Sequence, residues 1–307
     1  MSEPISIRLP ASSANLGPGF DAVAVALDFY LEIEAEPASG SNPVFSIEAT
    51  GRDAERCGRL ENNLIVDLYR DVLTQQGRPV LPLAIRMRNA IPLGMGCGSS
   101  AAGRLAALAL AVHFGRLAWS RNRILEEAVL LEGHPDNVAA CWHGGFVAAA
   151  RSDSGVQLAH IDPPTAWRAI VVLPTEPLAT SKARAVLPER YARTDVVANL
   201  QAVALLSAAF ALGKGELLAI AMRDRIHQPY RGPICPLLQP LLPLAGRQGI
   251  LGVSLSGAGP AVLVIVDGEE SIPAASEAIQ TALEGLPSAE LLVTRFPASG
   301  TTFGPEA

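Results

Sequence analysis

The run Ile91-Pro92-Leu93-Gly94-Met95-Gly96-Cys97-Gly98-Ser99-Ser100-Ala101-Ala102 has the residue types and spacing to hold a phosphate. Three glycines in five residues remove the side chains that would keep a ligand off the backbone. Ser99 and Ser100 then open an Ala/Leu-rich helical run, whose free N–H groups and positive dipole end face the glycines. No Gly-Lys-Ser/Thr follows the last glycine, so this is not a Walker A loop. A second segment, Glu132-Gly133-His134-Pro135-Asp136-Asn137, gathers two carboxylates, an imidazole and an amide. With Ser99 it has the chemistry for Mg2+, which takes one or two carboxylates beside phosphate oxygens. It reads equally as a helix C-cap, with Gly133 at C′ and Pro135 beyond. No Cys or second His stands at ligand spacing, which argues against zinc. Two further Gly/Pro segments, 15–21 and 256–260, each read alone as turns.

The elements that must carry these segments are legible as periodicities. Ile5, Ile7 and Leu9 alternate, predicting a strand that ends at Pro10. Leu27 to Glu36 alternates again, with Val44 to Ala49 expected as its hairpin partner. Asn62 to Gln76 has helical spacing, and Leu83, Ile85 and Met87 make the strand that enters the glycine run. Ser99 to Phe114 is apolar nearly all round and predicts a buried helix. Ser120 to Glu132 is another helix, and Gly144 to Ala148 a turn and strand. Beyond Asp162-Pro163-Pro164 the pattern gives strands at 169–173, 251–253, 261–266 and 291–295, with helices at 195–212, 216–225 and 276–286. The mixture without strict βαβ alternation predicts an α+β fold on largely antiparallel sheets, in two domains, 1–162 and 163–307.

Bulk properties exclude several function classes. Net charge is −6, with no block of basic residues, and only 5% of residues are aromatic, so no nucleic-acid partner is expected. Cys57, Cys97, Cys141 and Cys235 form no CxxC pair and read as buried apolar residues or free thiols. Met1 to Pro10 lacks a basic, apolar leader, and the longest apolar run found, Leu105 to Val112, is shorter than a membrane span. A cytoplasmic protein without a membrane partner is expected.

The four segments together resemble a known family. Pro10-Ala11-Ser12-Ser13-Ala14-Asn15-Leu16-Gly17-Pro18-Gly19-Phe20-Asp21 is similar to the N-terminal signature of homoserine kinases, and Glu132 to Val138 to their Glu-Gly-His-Pro-Asp-Asn-Val segment. Pro92 to Ala102 resembles the ATP loop of the wider GHMP kinase superfamily, and Ser254 to Pro260 its third motif. The resemblance spans about residues 5 to 300, in the family's order. It implies an N-terminal domain like ribosomal protein S5 domain 2, a ferredoxin-like C-terminal domain, and ATP bound between them in a syn conformation. It implies phosphorylation of L-homoserine to O-phospho-L-homoserine, in threonine synthesis, and a homodimer.

The resemblance also implies residue roles. Asn15, Asp21 and Asn137 match positions that hold the amino acid, Asp21 facing its ammonium, while Arg184 and Arg231 match carboxylate-binding arginines. Asn63 matches an adenine-side residue, and is otherwise a helix N-cap. Pro92, Leu93, Gly94, Met95, Gly96, Cys97, Gly98, Ser99, Ser100, Ala101 and Ala102 form the ATP loop, with Gly257 and Gly259 across from it. Ser99 and Glu132 are the Mg2+ ligands, with Glu126 or Glu127 as substitutes for the latter. Asn137 faces the reacting hydroxyl where other GHMP kinases use an Asp base nearby, so transfer is expected to proceed in line without a strong protein base; Asp136 is the competing candidate. The loop departs from the usual pattern at Met95, Cys97 and Gly103, and Ala140 stands where the family commonly has Pro. Other GHMP substrates (mevalonate-type, sugar or diphosphocytidyl), or a non-catalytic nucleotide-binding protein on the same fold, are the alternatives.

Overall fold

A computed structural model describes residues 3–304; Met1 and Ser2 of the opening segment, and residues 305–307, lie outside the described residues. Alternating Ile5, Ile7 and Leu9 face the core from β1 (Ile5–Asn15), which runs on through Pro10 instead of ending there. The pairing with β2 (Gly19–Pro37) shifts register at Pro10/Ala11, an irregularity that accommodates a residue without an N–H. β3 (Ser46–Gly51) is not the hairpin partner of β2. β4 (Leu83–Asn89) occupies that edge of β2, and β3 pairs in parallel with the far edge of β4, Ile47 opposite Ile85. β5 (Phe146–Ser152) joins the first part of β2, and β6 (Gly155–Ile161), a strand not anticipated from sequence, forms a hairpin with β5.

β7 (Arg168–Leu173), β8 (Ile250–Leu255), β9 (Val262–Val266) and β10 (Glu290–Thr294) form a second, antiparallel sheet in the order β10-β7-β9-β8. In chain order that is 4-1-3-2, with helices after the first and third strands, the ferredoxin-like arrangement. β10 is not the last strand: β11 (Thr302–Gly304) returns to pair with β1. Three residues are too few to show an alternation in sequence.

The helices are α1 (Ala54–Cys57), α2 (Leu64–Gln75), α3 (Ser99–Phe114), α4 (Arg121–Glu132), α5 (Asp136–His143), α6 (Thr180–Ala185), α7 (Arg193–Leu212), α8 (Leu218–Ala221), α9 (Gln228–Arg231), α10 (Leu238–Leu241) and α11 (Ile272–Ala282). α3 is buried as its composition requires, against β1 and between α2 and α4. Ala140 sits inside α5, a helix absent from the sequence reading, where the family's proline would interrupt the turn. The helix expected at 216–225 stops at Ala221. Asp224 takes the N–H groups of Ile226, His227 and Gln228 and so starts a new turn, α9. α11 begins four residues earlier than expected, with Pro273 in its first turn.

By length and composition α7 could cross a membrane, a stretch longer than the apolar run found from sequence. Its Leu206, Ala209 and Phe210 nevertheless pack into the main core. Phe210 stacks on Phe146 at 4.4 Å between centroids and meets Trp167 edge-on at 5.2 Å, so one ring ties α7 to β5 and to the entry of β7. Phe210→Ala is expected to lower stability by about 3–5 kcal/mol, read from the shift of the urea unfolding midpoint.

Candidate active site

Gly94, Gly96 and Gly98 have φ of 71°, 81° and 74°, the left-handed region that only glycine enters freely. A Cβ on Gly96 would collide with the Ser256 carbonyl oxygen, and one on Gly98 with the Ser12 hydroxyl. The loop is therefore threaded between the end of β1 and the 256–260 turn. Ser12 N–H donates to the Cys97 carbonyl at 3.1 Å, and Ser256 Oγ donates to the Gly96 carbonyl at 2.8 Å. No side chain caps α3, so its first N–H groups stay available to a phosphate.

A cavity of about 400 Å³ runs from this loop to the 15–21 turn. Leu93, Gly94, Gly96, Gly98, Ser99, Ser100 and Gly257 line it. Cys97, Ala101 and Ala102 are buried behind the wall, and burial pushes the Cys97 thiol up to about 12, so it stays protonated. Pro92 and Met95 line a separate hollow with Arg52 and Glu290, and Gly259 is outside the main cavity. At the apolar end Leu31, Ile65, Met87 and Ile91 form a slot, to which the sequence reading gave no ligand role. Asn63 lines it while serving as the α2 cap: Oδ1 accepts from Ile65 and Val66 N–H at 3.1 and 3.3 Å, and Nδ2 donates to the Cys57 and Arg59 carbonyls.

At the polar end, Arg184 grips Asp21 in a bidentate pair at 2.7 and 3.0 Å. That hydrogen bonding, against the cost of burial, holds the guanidinium above its usual range. Asn15 is buried, with Nδ2 on the Gly257 carbonyl (2.8 Å) and Oδ1 on the Asp21 N–H (3.0 Å), so it braces the turn that carries Asp21. Arg231 is 1% exposed, yet among the described residues no carboxylate pairs with it. Burial, then the like charge of Arg184, pull its pKa down. Asp21 and Asp224 oppose this at longer range without an ion-pair contact, so a buried cation is only partly compensated, and an anion entering here would relieve that cost.

Asp136, also 1% exposed, accepts from His134 Nδ1 at 2.5 Å and from the Asn137 N–H at 2.7 Å through Oδ1. Burial alone would lower the His134 pKa, but Asp136, Asp21 and Glu132 outweigh it and raise it. Asn137 Oδ1 accepts from the buried Ser12 hydroxyl at 2.8 Å, which leaves its Nδ2 without a protein partner among the described residues. Ser12 was not singled out from sequence. Glu132 lines the cavity but carries Arg104 at 2.6 Å and Ser100 Oγ at 3.2 Å on Oε2. Among the described residues its Oε1 has no protein partner, so with Ser99 the donor set still suits a hard cation. Glu126 and Glu127 do not line the cavity, and Glu127 is paired with Arg123. Donor atoms of Asp21, His134 and Asp136 lie within 4.8 Å of one another, but Arg184 and the His134–Asp136 bond already engage them.

The chain matches the model for the N-terminal domain of GHMP kinases over 63–145, and that for their C-terminal domain over 205–285. A homoserine kinase of Solibacter usitatus is 44% identical over 268 residues, covering 87% of this chain and 86% of that protein. This chain belongs to the homoserine kinase family of GHMP kinases. A second homoserine kinase, from Synechocystis, is 35% identical over 90% of each chain. The crystal structure of homoserine kinase from Cytophaga hutchinsonii superposes with a TM-score of 0.82 at 25% identity, covering 99% of this chain and 98% of that one. For a kinase of this family the nucleotide is ATP, and the glycine loop with the uncapped N-terminus of α3 offers N–H groups of the kind that suit a phosphate. Gly96→Ala, at φ 81° and against the Ser256 backbone, is expected to raise the KM for ATP by about tenfold or more and also to lower the Tm, checked by steady-state kinetics below the variant's melting point and a thermal melt.

Proposed function

We propose that this chain transfers the γ-phosphoryl group of ATP to the hydroxyl of L-homoserine, giving O-phospho-L-homoserine for threonine synthesis. One observation carries the choice of acceptor: the buried, unpaired Arg231 beside the Asp21–Arg184 pair, at the end of a cavity that begins at the phosphate loop. Two guanidinium groups and one carboxylate suit an α-amino acid better than a sugar or mevalonate, which has no ammonium for Asp21. In this reading Arg184 and Arg231 take the substrate carboxylate and Asp21 takes the ammonium once Arg184 turns away.

Asn137 Nδ2 then donates to the acceptor hydroxyl oxygen and orients it for in-line attack. Ser99 and Glu132 Oε1 are the residues that would hold Mg2+, which would supply neutralising positive charge to the phosphate groups. The α3 N–H groups stabilise the transferring phosphoryl group, a transition state that asks little of a base. Asp136, tied to His134 and to the Asn137 N–H, holds the α4–α5 turn in this account. The division near residue 162 is supported by the change of sheet between β6 and β7. A homodimer, a cytoplasmic location and the absence of nucleic-acid or membrane partners belong to the same proposal.

A coupled assay of ADP release against homoserine, mevalonate, galactose and shikimate tests the substrate. Turnover is expected with homoserine, and background rates with homoserine would refute the reading. Asp136→Asn is expected to lower kcat by less than about tenfold. A loss of about a thousandfold, with fold and KM intact, would make Asp136 the base.

A further inference from the structure

We propose that His227 is a positioning residue that aims Arg231 at the substrate carboxylate; this rests on the reading of Arg231 as a carboxylate ligand. His227 is wholly buried, and its Nε2 lies 2.8 Å from the Gly17 carbonyl, an acceptor only. Nε2 must therefore carry the hydrogen. In a neutral ring Nδ1 then holds a lone pair, and it accepts from Arg231 Nη1 at 3.0 Å. Arg231 Nε–H donates to the Ala183 carbonyl at 3.1 Å. Two fixed points on a planar guanidinium set its orientation, and the Nη2 edge, without a hydrogen-bond partner among the described residues, remains for a ligand.

Together His227 and Arg231 tie three parts of the site. Gly17 belongs to the turn that carries Asp21, and Ala183 precedes Arg184 in α6. Phe20 stacks on His227 at 5.3 Å and lies 5.2 Å from the Arg231 Cζ and 5.5 Å from the Arg184 Cζ, so one ring backs both cations. The charged groups facing the imidazole are Asp224, whose Oδ2 lies 3.6 Å from Nε2, Arg231, and Asp21 at longer range. Burial, with Arg231, outweighs the two carboxylates and lowers the imidazole pKa. A protonated ring would turn an N–H toward Arg231 Nη1 and lose the acceptor.

The test separates the two nitrogens. In His227→Asn the side-chain oxygen falls near Nδ1 and keeps an acceptor for Arg231; in His227→Gln the amide falls near Nε2 and keeps only the Gly17 bond. His227→Gln is expected to raise the KM for homoserine by about tenfold, with kcat within about threefold and the KM for ATP unchanged. His227→Asn is expected to stay within about threefold of wild type for homoserine. In an Arg231→Gln background, His227→Gln is expected to add less than about twofold, because it acts through Arg231. If Arg231→Gln leaves the homoserine KM unchanged, the carboxylate reading of Arg231 fails. If Arg231→Gln raises it and folded His227→Gln does not, or the two effects multiply in full, only the role of His227 is overturned. In the wild-type protein, 15N NMR is expected to show His227 protonated at Nε2 and bare at Nδ1 from about pH 6 to about pH 8. An Nδ1–H or doubly protonated ring over that range overturns the proposal without any variant.

Discussion

The end of β1, from Ala11 to Asn15, is the seam on which the site depends. Its residues are buried, and their polar groups are spent on partners far along the chain. The Ser12 N–H holds the glycine loop, the Ser12 hydroxyl holds Asn137, the Ala14 carbonyl accepts from the Gly257 N–H at 3.0 Å, and Asn15 closes on both Gly257 and Asp21. Each bond is individually worth about 1 kcal/mol, but a buried polar group left without its partner costs more than the bond gains. The three glycine segments therefore cannot settle independently. This explains why Pro10 lies inside the strand: β1 must continue past it to reach them.

Elements with a strong local signal were readable from sequence. α2 and α4 begin where Asn63 and Ser120 cap them, and α3 is buried because it has no polar face. The convergence of the glycine runs followed from their resemblance to one family. Pairings between distant strands were not readable, since the alternation of residues 44–49 says that a strand exists but not which edge is free. α5 was hidden because Gly133 and Pro135 punctuate a turn that a new helix follows directly. The site residues missed, Ser12, Phe20, Arg104 and His227, act by touching other residues, and nothing in their own spacing reveals that. The mutual engagement of Asp21 and Arg184, 163 residues apart, was likewise invisible in one dimension.

Charge in the site is arranged in two ways. Around Glu132 and Asp136 each carboxylate already has a cation or donor, which keeps the α4–α5 turn rigid. Around Phe20 two arginines face Asp21, with Asp224 behind His227, and Arg231 is buried without an ion-pair contact to either carboxylate among the described residues. In the proposed function the second arrangement would receive the substrate's carboxylate and the open Glu132 oxygen would receive the cation, while one end of the Asn137 amide is fixed by Ser12.

β11 adds only three residue pairs to the outer edge of β1, opposite Ser6, Ile7 and Arg8, yet it sets an order in time. During synthesis the chain up to about residue 161 contains the other strands of the first sheet. Its β1 edge stays open while the ferredoxin-like unit is made. The edge closes only after residues 302–304 have left the ribosome, so the strand that anchors the glycine loop spends most of translation with an unpaired flank. Completion of the first sheet is thereby deferred until the second has been made.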